Sequence, residues 1–190
     1  FVDNTGRNGA GAFCAAGSAP IFINCEFADN TVTTDGAGLL STESDVTLLR
    51  CTFMNNNATT GRGGAAHIQL GSSNIINTFF AGNGASSDGG AISYVDTNGD
   101  LTNCVFSGNT ADRGGALFDK SNGSEVFNWT VRSCTFAGNI AASQGGAVYH
   151  DGGNINIRNA ILWGNVLSGP QTPQQIHAET GDVSVNFSDV

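Results

Sequence analysis

An aromatic residue or leucine followed three positions later by asparagine recurs seven times along the chain, and this spacing constrains the fold more than any other feature. The pairs are Phe1/Asn4, Phe27/Asn30, Phe53/Asn56, Phe80/Asn83, Phe106/Asn109, Phe136/Asn139 and Leu162/Asn165, with steps of 26, 26, 27, 26, 30 and 26 residues between leaders. Eight to ten residues after a leader comes a small-residue triplet, as in Gly9-Ala10-Gly11, Gly36-Ala37-Gly38, Gly63-Gly64-Ala65, Gly89-Gly90-Ala91, Gly114-Gly115-Ala116 and Gly145-Gly146-Ala147. Two residues before a leader stand Cys25, Cys51, Thr78, Cys104, Cys134 and Ala160. Three markers in one register identify a structural repeat. The single longer step holds about four extra residues within Lys120 to Trp129, and because the register resumes afterwards they must form an inserted loop.

Helical repeats need amphipathic segments of about ten residues or more, and Gly or Asn interrupts every window here. The chain has 27 Gly and 21 Asn, and its apolar stretches are short and β-branched or aliphatic, such as Ile21-Phe22-Ile23, Val46 to Leu49, Asn74 to Ile76, Asn154 to Ile157 and Val183 to Val185. Each repeat reads as three strands joined by turns. Such coils stack about 4.8 Å apart, each strand pairing with its copies above and below. The expectation is an all-β chain, a right-handed parallel β-helix of about seven coils of about 26 residues, forming one domain over residues 1–190.

Stacked inward positions must be apolar or small in every coil. One file runs Phe22, Leu48, Ile75, Leu101, Val131, Ile157; a second is the leaders themselves; a third is the Cys/Thr/Ala file. Two residues past each leader stand Asp3, Asp29, Asn55, Gly82, Gly108, Gly138 and Gly164, the residue types that most readily take positive φ at a corner. The asparagines that follow read as a ladder of stacked amides. Before the triplets stand Asn8, Asp35, Arg62, Asp88, Arg113 and Gln144, and the four in the middle alternate in sign, as stacked neighbours would prefer.

Four of the five cysteines share one inward file, Cys25 beside Cys51 and Cys104 beside Cys134. Adjacent coils bring such residues within disulfide range, but parallel Cβ vectors are not the preferred geometry, so buried thiols are expected and two disulfides are the alternative. Cys14 has no obvious partner, and without a C-x-x-C spacing no metal or other cofactor is expected. Sequons occur at Asn57, Asn122, Asn128 and Asn186. Composition alone generates such triplets; Asn122 and Asn128, in the inserted loop, are the candidate glycosylation sites.

The pattern C-x-F-x-x-N followed by GGA, seen in Cys104 to Asn109 with Gly114-Gly115-Ala116 and in Cys134 to Asn139 with Gly145-Gly146-Ala147, resembles the chlamydial polymorphic outer-membrane protein repeat. It is also similar to the wider group of secreted right-handed parallel β-helix repeat proteins of bacteria and some microbial eukaryotes. The stretches Ile161 to Asn165, Gln175-Ile176 and Phe187 to Val190 are similar to a closing coil of those proteins. The resemblance implies a secreted or cell-surface location and an adhesive or envelope role, with architectural rather than catalytic motif residues. Thr78 and Ala160 at the Cys position, and Ala10 and Ala37 at the second Gly, depart from the pattern.

Seven basic residues against 16 acidic ones, with Lys120 the single lysine, exclude a phosphate-binding surface for nucleic acid, and no apolar run is long enough to span a membrane. Residue 1 already occupies a leader position and no cap or leader peptide is visible, so the chain reads as an excerpt of a longer secreted protein whose open strand edges would pair end to end into a fibre. Parallel β-helices also carry polysaccharide lyases and glycosidases, whose sites need paired carboxylates or calcium ligands. Asp88 with Arg62 and Arg113 is the best surface cluster but reads as a structural ladder. Asp119 and Lys120 beside Tyr149, His150 and Asp151 form a second cluster, in which an exposed turn histidine is weighed against a general base. His67 and His177 stand apart from acidic pairs. Of the aromatics that could stack on sugars, Tyr94, Trp129, Tyr149 and Trp163, the two tryptophans are placed at the surface. The reading is a non-enzymatic extracellular structural or adhesive protein whose partners are copies of itself, other cell-surface proteins or glycans. A carbohydrate-binding or polysaccharide-degrading β-helix is the alternative.

Overall fold

The computed structural model describes residues 1–123, 126–169, 173–186 and 189. Among these the chain is all β, with no α-helix and so none long and apolar enough to cross a membrane, and every strand-to-strand ladder is parallel. The coils stack into a parallel β-helix. Three sheets form its faces, of seven, twelve and six strands among the described residues.

Each regular coil has four strand segments rather than the three expected. In the third coil they are Ala66–Gln69, Ser72–Ile76, Phe79–Ala81 and Gly84–Ala85. The extra segment is the two-residue strand after the ladder asparagine, too short to show an alternating pattern in the sequence. The first two segments of successive coils belong to the twelve-stranded sheet, because the eleven-residue strand Val148–Arg158 runs through the corner that separates them lower down.

Corners explain why four segments fit in about 26 residues. Each is turned by a single left-handed residue, and in the third coil these are Gly63, Leu70, Asn77 and Gly82, with φ from 53° to 62–63°. The corner two residues past the leader is left-handed in all seven coils, from Asp3 to Gly164, as its residue types predict. In the fifth coil the corner after Leu117–Lys120 is replaced by the inserted loop. The register is untouched, since Phe106 still lies opposite Phe136.

The inward files pack as read. Successive leader rings from Phe1 to Phe136 stack with centroids 4.4–5.1 Å apart and planes within 17°. Phe27 to Phe136 are fully buried, while Phe1, on the first coil, is half exposed. Leu48, Ile75, Leu101, Val131 and Ile157 fill the second file. Closely stacked glycines let the coils approach: a Cβ on Gly90 would overlap the carbonyl oxygen of Gly115.

Candidate functional site

The asparagine ladder is continuous from Asn4 to Asn165. Nδ2 of Asn83 donates to Oδ1 of Asn109 at 3.0 Å and to the Phe53 carbonyl at 3.0 Å, while its own Oδ1 accepts from the backbone N and the Nδ2 of Asn56. Asn30, Asn56, Asn109 and Asn139 repeat this pattern, and all are fully buried. At the upper end Asn165 donates to the Phe136 carbonyl and to Oε1 of Gln175 at 2.6 Å, so Gln175 terminates the ladder. The capping role of Gln175 has no repeat signal and was not readable from the sequence.

The five cysteines are free thiols. Cys51, Cys104 and Cys134 are buried in their file, Cys25 is half-buried and Cys14 is buried elsewhere in the core. The backbone N of Cys104 donates to Cys134 Sγ at 3.4 Å. Hydrogen bonding with Cys134, reinforced by burial, pushes the Cys104 thiol up from its ordinary value.

The charge ladder is real but not a simple alternation. Asp88 is buried and holds Arg113 Nε at 2.8 Å on one oxygen and Arg62 Nε at 3.4 Å on the other. Asp35 instead accepts from the backbone N of Arg62 at 2.9 Å. The guanidinium of Arg113 also lies over the Phe118 and Tyr149 rings, 5.0 and 5.1 Å from their centroids. These side chains cover an outward file of the twelve-stranded sheet in which His67, Ser93, Phe118, Tyr149 and His177 stand on successive strands. This corrects the placement of two residues. Tyr149 is buried beneath Arg113, and His67, expected apart from acidic groups, is buried where Asp35, Arg62 and Asp88 all act on it. Burial is the largest influence and holds its imidazole below the ordinary value of 6.5. His177 likewise contacts Glu179, 3.1 Å away.

The second cluster also turns out differently. Asp119 and His150 lie on adjacent strands and point inward, with Oδ2 and Nδ1 2.7 Å apart and His150 fully buried, so the histidine is not an exposed turn residue. Burial pushes the Asp119 carboxyl up from 3.8, against the pull of the His150 hydrogen bond. Asp119 Oδ1, His150 Nε2 and Trp129 Nε1 have no hydrogen-bond partner among the described residues. A Cβ on Gly181 would come within 2.8 Å of His150 Nε2, so the next coil closes over the imidazole. The dyad has acid–base composition, and both of its side chains are buried.

Of the four candidate sugar-stacking aromatics, Tyr94, Trp129 and Tyr149 are buried and only Trp163 is exposed, at 72%. Trp129 lies inside because it is the second residue of Asn128–Arg132, not part of the loop, and its ring packs against Tyr94. Ser73 donates its hydroxyl to the Tyr94 oxygen at 3.2 Å.

Asn57, Asn122 and Asn128 are exposed. Asn122 is tied down, its backbone N and Nδ2 both donating to the Asp96 carboxylate, and Asn128 accepts from Asn154 Nδ2 at 3.0 Å. The sequon at Asn186 and the closing motif from Phe187 extend into residues 187, 188 and 190, which lie outside the described residues.

Residues 103–120 and 133–151 match the model of the Chlamydia polymorphic membrane protein repeat. Both matched segments carry the C-x-F-x-x-N and GGA elements. No curated protein and no solved structure matches the chain.

Proposed function

From the premise of a parallel β-helix with polymorphic-membrane-protein-like repeats, we propose that the chain is the non-enzymatic rod of a secreted or cell-surface protein, adhesive or structural in role. The observation that carries this reading is the continuity of the inward phenylalanine and asparagine files through the coils. It invests the repeating residues in stiffness and leaves the non-repeating positions and the inserted loop free to differ. Support against catalysis comes from the Asp119–His150 dyad, which is sealed in the core. Partners in this reading are surface molecules met by the rod's outer faces, or further copies stacked along its axis.

The test has two parts. Antibody labelling and protease shaving of intact source cells should reach the protein, and protection until lysis would sink the surface assignment. Electron microscopy of native material should show rods, about seven rungs at about 4.8 Å giving a rise of about 30 Å. Filaments with that repeat would support axial assembly, and isolated rods would remove assembly from the proposal.

A further inference from the structure

The geometry points to a binding site for a carboxylate-bearing sugar ring where the charge ladder meets the inserted loop. Two spaces adjoin there. One, of about 90 Å³, is lined by Arg62, Asp88, Arg113, Phe118, Lys120 and Asn122. The other, of about 400 Å³, is lined by Leu70, Asp96, Asn122, Gly123 and Phe127. Asn122 lines both, so the two spaces meet at this residue.

Donor geometry rather than net charge suits an anion here, since Asp35, Asp88, Asp96 and Asp151 outnumber the three cations nearby. The whole chain carries −9 with only seven basic residues, yet three of the seven line the small space. The neighbouring carboxylates are already engaged. Asp88 holds Arg62 and Arg113 through their Nε atoms, and Asp35 accepts from the Arg62 backbone N. Both Asp96 oxygens accept from Asn122, and Asp151 accepts from Thr180 while standing 3.7 Å from Lys120 Nζ. Asp88 thereby orients two guanidiniums beside a space of carboxylate size, and planar paired donors suit a carboxylate. On the same outward file as Phe118, Ser93 Oγ and His67 Nδ1 are buried without a hydrogen-bond partner among the described residues, Ser93 one rung from Phe118.

The larger space supplies what a sugar ring needs. Phe127 and Leu70 offer an apolar wall for C–H groups, and Asn122 with Asp96 offers donors and acceptors for hydroxyls. Leu70 is unusual: a leucine held at φ 55° and 53% exposed, at a corner taken by Glu43 and Asp96 in the flanking coils. The left-handed conformation is unfavourable for leucine, and here it holds an apolar side chain out at the cleft. The site occurs once along the solenoid because only the fifth coil carries the insertion.

This inference rests on the surface reading only in requiring that the cleft meet extracellular glycans. It is tested on the purified chain by calorimetric titration with tetragalacturonate and with its fully methyl-esterified form, in low salt. Saturable binding of the acid, at least tenfold weaker for the ester, is expected. Arg62→Gln and Lys120→Gln should each weaken acid binding about tenfold, Phe127→Ala should weaken it too, and the distant Arg158→Gln should leave it unchanged. Circular dichroism and melting confirm that each variant is folded. The inference is overturned if the folded protein binds neither saccharide, if the ester binds as well as the acid, if Arg158→Gln is as damaging as Arg62→Gln, or if equimolar sulfate displaces the saccharide. Any of these results would leave the cell-labelling test of the surface assignment unaffected.

Discussion

The indole of Trp129 fills the space that Gly99 leaves open one coil below, where a Cβ would overlap its Cζ3 and Cη2 atoms. Ser73 and Ile155 occupy the same inward file on the neighbouring strands, so the absence of a side chain at 99 is what admits a tryptophan at 129. Gly99→Ala should therefore destabilise the protein by about 1–3 kcal/mol through overpacking, and Trp129→Ala by about 3–5 kcal/mol through the cavity it leaves. Denaturant unfolding of the Gly99→Ala/Trp129→Leu double variant should show a cost below the sum of its single changes. Strict additivity would mean that the two positions are not complementary.

Removing one rung of the asparagine ladder should cost far more than removing an exposed amide. Asn83→Ala leaves the Asn56 N and Nδ2 without their acceptor and removes the Nδ2 donor from the Phe53 carbonyl and from Asn109 Oδ1, which keeps only the backbone N of residue 83. Each orphaned buried group costs about 1–3 kcal/mol, so a loss of several kcal/mol is expected. At the exposed Asn103, whose Nδ2 donates to Asn77 and whose φ is 54°, substitution by glycine should change stability by less than about 0.5 kcal/mol. Comparable melting temperatures for the two variants would contradict the ladder's structural role.

Asp88 and Arg62 should respond unequally although they pair with each other. Asp88→Ala leaves two guanidiniums without their shared carboxylate and should cost about 3 kcal/mol or more, whereas Arg62→Gln removes a side chain that is 45% exposed and should cost less than about 1 kcal/mol. Chemical denaturation of both variants at neutral pH and low salt decides this.

Acid should act on the fold through His67 before it acts through the carboxylates. The folded pKa of His67 lies below its ordinary 6.5, so the unfolded chain takes up the proton first, and stability falls as pH drops through about 6.5 towards the folded value. Asp119 has the opposite sign. Its pKa is raised above 3.8, so its contribution favours the folded state at low pH and is lost as pH rises through the folded value. Melting temperature should decline between pH 7.5 and 5.5, and His67→Gln should flatten that decline while Asp119→Asn leaves it in place. An unchanged slope in His67→Gln would be evidence against the assignment.

Thiol chemistry should follow burial. Half-buried Cys25 should react with iodoacetamide in the native protein, and Cys51, Cys104 and Cys134 only after unfolding, as counted by mass spectrometry of labelled peptides. Native labelling of Cys104 as fast as Cys25 would refute the packing of this file.

The period, the leader rings, the amide ladder and the left-handed corner after each leader were all legible in the sequence, because stacking places equivalent residues on one another and any repeated requirement then appears as a repeated letter. Asp29, Asn55 and Gly82 share a corner for the same reason that Phe27, Phe53 and Phe80 share a file. Residues that occur once carry no such signal. Whether Trp129 faces solvent or core depends on Gly99 one coil away, whether His150 is a surface base or a sealed partner of Asp119 depends on the coil that closes over it, and Asp88 is buried only because two arginines from neighbouring coils fold over it. The repeat determined the scaffold; contacts between coils, which no local pattern encodes, decided which of its non-repeating side chains meet solvent.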